Sequence, residues 1–253
     1  MKILLERDDV NPDKSNECGR TPLFLAACEG HEGIVKMLLG RDDVDPSTPD
    51  DYGETALSWA ALNGREGVVK MLLGRDDIDP NKSDKSGRTP LSQAACNGCQ
   101  GVVKMLLGRN DINPNKPEEG GQTPLWWAAY CMHEEVVKLL LGRDEVNPNK
   151  PDKGGQTPLL RAVYTGHEGV VKLLLGRDDI NPNKPEEGGQ TPLLLAANHG
   201  HEGMVKLLLE NHNVNPDMSD RNGQTPLWWA TKNGHAGVIA LLQRPTSATH
   251  IVT

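Results

Sequence analysis

Phenylalanine occurs once in 253 residues, and all aromatics together make up only 4% of the chain. The 36% of apolar residues are instead spread as Leu, Val, Ala and Ile at short regular intervals, a composition suited to many small cores. Long apolar runs are missing too. None approaches the roughly 18 residues that a membrane-spanning helix requires, and the opening residues lack the charged and apolar blocks of a secretory leader. A soluble, intracellular protein of the cytoplasm with no membrane partner is expected. Positive charge is in deficit, with 27 Lys and Arg against 35 Asp and Glu, a net charge of -8. Nucleic-acid affinity draws on basic residues that neutralise phosphates, so a nucleic-acid partner is excluded. The five cysteines are odd in number and irregularly placed, which is no disulfide framework and points to a reducing compartment.

What the chain does have is a period. Thr21, Thr55, Thr89, Thr123, Thr157, Thr191 and Thr225 follow one another at intervals of 34 residues. A repeat of that length is the signature of a solenoid. Each copy reads as two helices and an extended finger. Thr serves as N-cap and Pro takes the first helical position, where a missing N–H is harmless. Leu and, in most copies, an Ala-Ala pair follow, until Gly30, Gly64, Gly98, Gly166, Gly200 or Gly234 ends the first helix. The second helix carries runs such as Val170–Val171–Lys172–Leu173–Leu174–Leu175, an apolar stripe with its Lys outside. The polar, Pro- and Gly-rich segment after it, for example residues 176–189, is read as a projecting loop.

The combination of Thr-Pro-Leu, Ala-Ala, Gly-His, Val-Val-Lys-Leu-Leu-Leu and Asp-Val/Ile-Asn resembles the ankyrin repeat over about residues 1–244. The resemblance implies an all-α solenoid of stacked helix-turn-helix units with finger loops. The usual unit is about 33 residues; the extra residue here is placed in the finger. The expected organisation is a truncated half repeat and finger at 1–18, seven repeats at 19–52, 53–86, 87–120, 121–154, 155–188, 189–222 and 223–244, and a disordered tail at 245–253. Residues 2–10 align with 36–44, so the chain is expected to start within a second helix, as part of a longer protein. Repeat four departs from the pattern: Met132 stands where the others have the helix-ending Gly, and Glu135 replaces the Gly that follows. A left-handed backbone kept at Met132 would strain it and make a soft joint.

Among near-identical copies the variable positions carry the information. Counted from Gly19, Gly53, Gly87 and their successors, the fifth residue is Phe24, Ser58, Ser92, Trp126, Leu160, Leu194 or Trp228, and the sixth is Leu25, Trp59, Gln93, Trp127, Arg161, Leu195 or Trp229. The ninth is Cys28, Leu62, Cys96, Tyr130, Tyr164, Asn198 or Lys232, and the tenth is Glu29, Asn63, Asn97, Cys131, Thr165, His199 or Asn233. Of nine aromatic residues, all but Tyr52 fall in the fifth, sixth or ninth column. The fifth and ninth lie one helical turn apart and are expected to line up as a strip for a partner, since Trp and Tyr dominate binding hot spots. The sixth column has two readings, groove or core packed between repeats, with Gln93 and Arg161 favouring at least partial exposure. The resemblance adds that ankyrin proteins bind partners along the helix-one face and the finger tips.

Other chemistries carry less. Cys96 and Cys99 have the spacing of half a zinc site or a redox pair, but no second pair completes four ligands. His31, His133, His167, His201 and His235 recur at one position, where the resemblance implies a hydrogen bond joining adjacent turns. Arg-Asp-Asp runs read as a solvated salt-bridge rim. Finger residues Asn113, Asn147, Asn181 and Asn215 occupy positions hydroxylated in some ankyrin proteins, although a Pro follows each. No nucleophile–base constellation or phosphate loop is present. The expected function is therefore non-catalytic and cofactor-free: a monomeric module binding a protein of apolar and basic character, with self-association through uncapped ends open. The rival is a structural spacer or ligand-sensing array, since the near-identical copies loosely resemble the sensor arrays of fungal NOD-like receptors.

Overall fold

The computed structural model describes residues 11–243. Among them every regular element is an α-helix, and the helices come in pairs: α1 (Pro22–Glu29) and α2 (Glu32–Leu39), α3 (Ala56–Leu62) and α4 (Glu66–Leu73), α5 (Pro90–Cys96) and α6 (Gln100–Leu107), α7 (Pro124–Tyr130) and α8 (Glu134–Leu141), α9 (Pro158–Thr165) and α10 (Glu168–Leu175), α11 (Pro192–Asn198) and α12 (Glu202–Leu209), α13 (Pro226–Lys232) and α14 (Ala236–Leu242). The half-helix expected at residues 2–10 and the tail at 245–253 lie outside the described residues. The described residues divide into two compact units, which meet in sequence between Lys153 and Gly154. In the first, α1, α3, α5 and α7 pack side by side, as do α2, α4, α6 and α8; in the second, α9, α11 and α13 form one row and α10, α12 and α14 the other.

Each first helix starts as its Thr dictates. The Thr21 Oγ1 accepts the Phe24 N–H at 3.2 Å, and Thr123 and Thr191 do the same for Trp126 and Leu194 at 3.2 Å each. In α3 and α5 the third residue is Ser, and Ser58 and Ser92 Oγ accept in return from the N–H of Thr55 and Thr89 at 2.8 and 2.9 Å. That reciprocal pair is a capping box. It uses Ser where Glu or Gln is usual, and it holds with Ala56 in place of the first-position Pro.

The core repeats with the sequence. Leu57, Leu91 and Leu125, with the Ala pairs 60–61, 94–95 and 128–129, are fully buried. Small Ala side chains let neighbouring first helices approach, and the Val-Val and Leu positions of the second helix close the layer behind them. Gly64, Gly98, Gly166 and Gly200 have φ of 64, 69, 75 and 71°, and Met132 in the same place has φ 64°. It is the one non-Gly residue with positive φ among the described residues, and it keeps the left-handed turn at an energetic cost.

The fingers are hairpin turns without strands. Asp84 N donates to Arg88 O at 3.0 Å, and the neighbouring fingers join through Lys85 N to Tyr52 O at 2.9 Å and Glu119 N to Ser86 O at 2.9 Å. A side-chain clamp adds to this. Asn81 Nδ2 donates to Asp111 O at 2.7 Å while its Oδ1 accepts from Asn113 N at 2.7 Å. Asn115 does the same toward Glu145 O and Asn147 N at 2.6 and 2.8 Å, and in the second unit Asn183 does so toward Asn213 O and Asn215 N at 2.6 and 2.7 Å. An amide, which donates and accepts side by side, makes both bonds; Asp13, in the same place of an earlier copy, makes the accepting one, from Asp45 N at 2.7 Å.

The Arg-Asp runs do more than rim the surface. Arg75 and Arg109 pair with Asp77 and Asp111 at 2.6 and 2.7 Å, and each also donates through Nη1 to the last carbonyl of the preceding second helix, Leu39 O at 3.0 Å and Leu73 O at 2.9 Å. A cation at a helix C-terminus is favoured by the helix dipole. The guanidinium partners hold the Asp77 and Asp111 carboxyls below the usual range. Two of the five recurrent His residues link copies as expected: a ring nitrogen of His133 lies 2.9 Å from Cys96 O, and one of His235 lies 3.0 Å from Asn198 O; His167 Nδ1 accepts from Val170 N of its own copy at 3.3 Å. Where the His is missing, Arg65 Nε donates to Cys28 O at 3.2 Å.

Candidate functional site

The rotation of the first helices differs from the sequence expectation. The fifth column, expected on the open face, is interior: Phe24, Ser58, Trp126, Leu160 and Leu194 are buried, and only Trp228, in the last described repeat, is exposed at 39%. At about 100° per residue, the fourth, fifth, seventh and eighth positions of a copy span one continuous arc, and these are the residues that are buried. The sixth, ninth and tenth fall on the opposite arc. The open face is thus built by neighbours three and four apart, the sixth with the ninth and tenth. Phe24 and Trp126 pack between helices as core, while Ser58 is consumed by its capping box.

The sixth column is mixed. Trp59, Trp127, Arg161 and Trp229 are half-buried, whereas Gln93 is only 3% exposed. Burial of Gln93 corrects the expectation that its polarity would keep it at the surface. Its Nε2 donates to Glu54 Oε1 at 2.7 Å, and Glu54 is itself buried, with Arg88 Nη2 3.9 Å from the same oxygen. Burial, with Asp84 close by, pushes the Glu54 carboxyl above its usual range, and burial does the same to Glu118. In the ninth column Tyr130 and Tyr164 are exposed, and Cys28, Leu62 and Asn198 are half-buried.

In the first unit these residues form two aromatic groups. Phe24 and Trp59 lie 6.0 Å apart between centroids, with the Arg20 guanidinium 5.3 Å from each ring. Trp126, Trp127 and Tyr130 form a compact triad: Trp126 stacks on Tyr130 at 5.3 Å, and Trp127 meets the two edge-on at 5.0 and 6.0 Å. The buried Trp126 is therefore the floor on which the exposed Tyr130 rests, and offset-stacked and edge-on pairs of this kind are worth about 0.5–1.5 kcal/mol beyond burial.

In the second unit, Leu160, Arg161, Tyr164 and Leu195 line a cavity of about 240 Å³ together with Gln156, Glu186 and Gln190. The Arg161 guanidinium sits 5.7 Å from the Tyr164 ring. At the far end Trp228 and Trp229 meet edge-on at 4.9 Å, Lys232 Nζ lies 4.7 Å from both, and Trp229 Nε1 donates to Asp220 Oδ2 at 3.0 Å. Asn198 accepts from Asn233 Nδ2 at its side-chain oxygen, 2.8 Å. The cation Arg20 and the finger-base residues Glu186 and Gln190 escaped the sequence reading, which had Lys232 as a variable ninth-column residue but not as a cation on the Trp pair. Arg20 and the role of Lys232 could have been found from the preference of Arg and Lys for aromatic faces; Glu186 and Gln190 required the finger to be placed. Among the described residues no group of three or more His, Cys, Asp or Glu could hold a metal ion, and no helix is long and apolar enough to cross a membrane.

What each unit offers is surface for recognition: aromatic edges and faces, with flanking cations, on paired helices. Comparison with known proteins agrees with the architecture. The ankyrin repeat domain of Bcl-3, a member of the IkappaB protein family, superposes with a TM-score of 0.80 at 25% identity, covering 89% of this chain and 99% of that one. EF0377, an ankyrin repeat protein, superposes with a TM-score of 0.70 at 26% identity, covering 74% of this chain and 96% of that one. No match was found among curated protein sequences. The family model for ankyrin repeats (three copies) matches residues 1–84, 52–118, 91–186 and 177–250. Ankyrin repeat domains are in general protein–protein interaction modules, and by the span of these matches the chain belongs to the ankyrin repeat family.

Proposed function

We propose that this chain is a protein-binding module with no catalytic activity of its own, and that its partner docks on the open arc of the first helices. The observation that carries the reading is the pair of exposed tyrosines, Tyr130 and Tyr164 at 39% and 58%, each seated on a residue of its own helix, Trp126 or Arg161. A Tyr held in place this way loses little side-chain freedom on binding, which is the property of a hot-spot residue. In the first unit Trp59, Leu62 and Trp127 extend the surface and the buried Phe24, Ser58 and Trp126 support it from beneath; in the second Arg161, Asn198, Trp228 and Trp229 extend it over the buried Leu160 and Leu194. An acidic rim of finger residues favours a partner with basic groups around an apolar centre. The reading places the protein inside the cell, as a monomer.

The test is affinity capture from lysate with the wild type beside a Tyr130→Ala/Tyr164→Ala variant of native helicity, followed by titration of any protein that the variant loses. Each true hot spot should contribute at least about 2 kcal/mol, roughly 30-fold in affinity. Equal affinity of wild type and variant for the captured partner would remove the open arc as the binding surface.

A further inference from the structure

Two thiols meet at the joint between α5 and α7. Cys96, the last residue of α5, and Cys131, the C-cap of α7, hold their Sγ atoms 3.6 Å apart, and both side chains are half-buried. The same place is polar elsewhere: Asn63 Nδ2 donates to Cys28 Sγ at 3.8 Å, and Asn233 Nδ2 to Asn198 Oδ1 at 2.8 Å. The ninth residue of one copy thus meets the tenth of the next, and in the sequence this pairing is Cys with Cys only here. The sequence spacing had drawn attention to Cys96 and Cys99; the fold pairs Cys96 with Cys131 instead.

A disulfide holds its sulfurs about 2.05 Å apart, so these must close by roughly 1.5 Å. Both sit at helix ends, where a side-chain torsion supplies that movement without displacing a helix interior. We propose that Cys96 and Cys131 are a covalent modification site, a dithiol that a small-molecule disulfide such as oxidised glutathione converts to a reversible intrachain disulfide across this joint. The Cys131 thiolate attacks one glutathione sulfur, breaking the glutathione S–S bond and expelling a glutathione thiolate. The Cys96 thiolate then attacks Cys131 Sγ and expels the second. Two protein S–H bonds are lost, one S–S bond forms, and glutathione disulfide leaves as two glutathione thiols carrying the two protons. Burial, and the neighbouring Cys131, push the Cys96 thiol up to about 12, so at neutral pH it is protonated and closure is slow. The rate should rise about tenfold per pH unit while the thiolate fraction limits it. This inference is independent of the partner-binding proposal. The bond would fasten the one joint whose turn contains Met132, beside Tyr130.

The experiment uses the purified full chain with Cys99→Ser, because Cys96 and Cys99 share the tryptic fragment between Arg88 and Lys104. The protein is equilibrated across a series of oxidised-to-reduced glutathione ratios, alkylated under denaturing conditions, digested and mapped by mass spectrometry. The expected product is a monomer linked between Cys96 and Cys131, with Cys18 and Cys28 alkylated throughout. Dithiothreitol should reverse the link and Cys131→Ser abolish it. Alkylation of Cys96 and Cys131 as complete as that of Cys18 at every ratio would overturn the proposal. So would a stable glutathione adduct that never closes, or linkage through other cysteines.

Discussion

Met132 sets chain geometry against side chain at one residue, and replacing it separates the two. It has φ 64°, inside the 64–79° range of the glycines that end the other first helices, and its side chain is 47% exposed. Little packing is therefore at stake. A left-handed backbone costs an L-residue about 1–2 kcal/mol, whereas glycine costs about 0.5–1 kcal/mol through the freedom of the unfolded chain. Comparing Met132→Gly with Met132→Ala removes the Met side chain from both arms. Glycine should be the more stable by roughly 1 kcal/mol, the difference of those two terms. That order is the reverse of the one at Gly33, in α2, where an added Cβ would meet nothing within 4 Å and φ is not positive; there Gly33→Ala should stabilise by about 0.5–1 kcal/mol. Repeat arrays do not always unfold as one unit, so urea unfolding should be accompanied by native-state hydrogen exchange. In the wild type, amides around Met132 should exchange faster than those around Gly98 and Gly166, and Met132→Gly should slow them. An alanine variant as stable as the glycine variant, or exchange at Met132 no faster than at Gly98, would refute the strain assignment.

Asn115→Asp keeps the acceptor toward Asn147 N but faces Glu145 O with a second acceptor; it should destabilise by about 1–3 kcal/mol in thermal or urea unfolding, against less than 0.5 kcal/mol for substitution at an exposed site such as Lys104. Glu54 has its carboxyl raised by burial, and its Oε2 is buried without a partner. A group whose folded-state pKa is raised contributes stability at low pH and loses it as pH rises through that pKa, so Glu54→Gln should stabilise at pH 7.5 by on the order of 1 kcal/mol and much less near the pKa of an unfolded carboxyl, about 4.3. Equal effects at the two pH values would count against it. Trp126→Ala should lower stability by about 3–5 kcal/mol as a core truncation, while Tyr130→Ala should cost far less stability and mainly affinity, as read by unfolding and partner titration on the same samples.

The fold was legible because each copy states it in local terms. The Thr that caps, the Pro that starts, the Gly that ends and the 34-residue spacing each depend on a few neighbouring residues, and the structure follows them. The open face was only half legible. Column statistics show which positions vary but not which way the helix is turned, and the fifth column varies for an interior reason: Phe24 packs against Trp59, whereas Ser58 and Ser92 close capping boxes. Gln93 misled because its partner, Glu54, is 39 residues away, a distance over which polarity alone gives no warning of burial. The division into two compact units had no counterpart in the sequence reading either.

Many of the bonds that tie one copy to the next within a unit end on main-chain oxygens: Arg75 on Leu39, Arg109 on Leu73, Asn97 on Leu62, His133 on Cys96, Asn81 on Asp111. A carbonyl is the same whatever side chain its residue carries. Copies joined this way are interchangeable parts, and one can be duplicated, lost or exchanged without its neighbours needing a matching change. The residues of the open arc can then be rewritten one copy at a time, so new recognition surfaces can arise by recombining copies as well as by substituting residues.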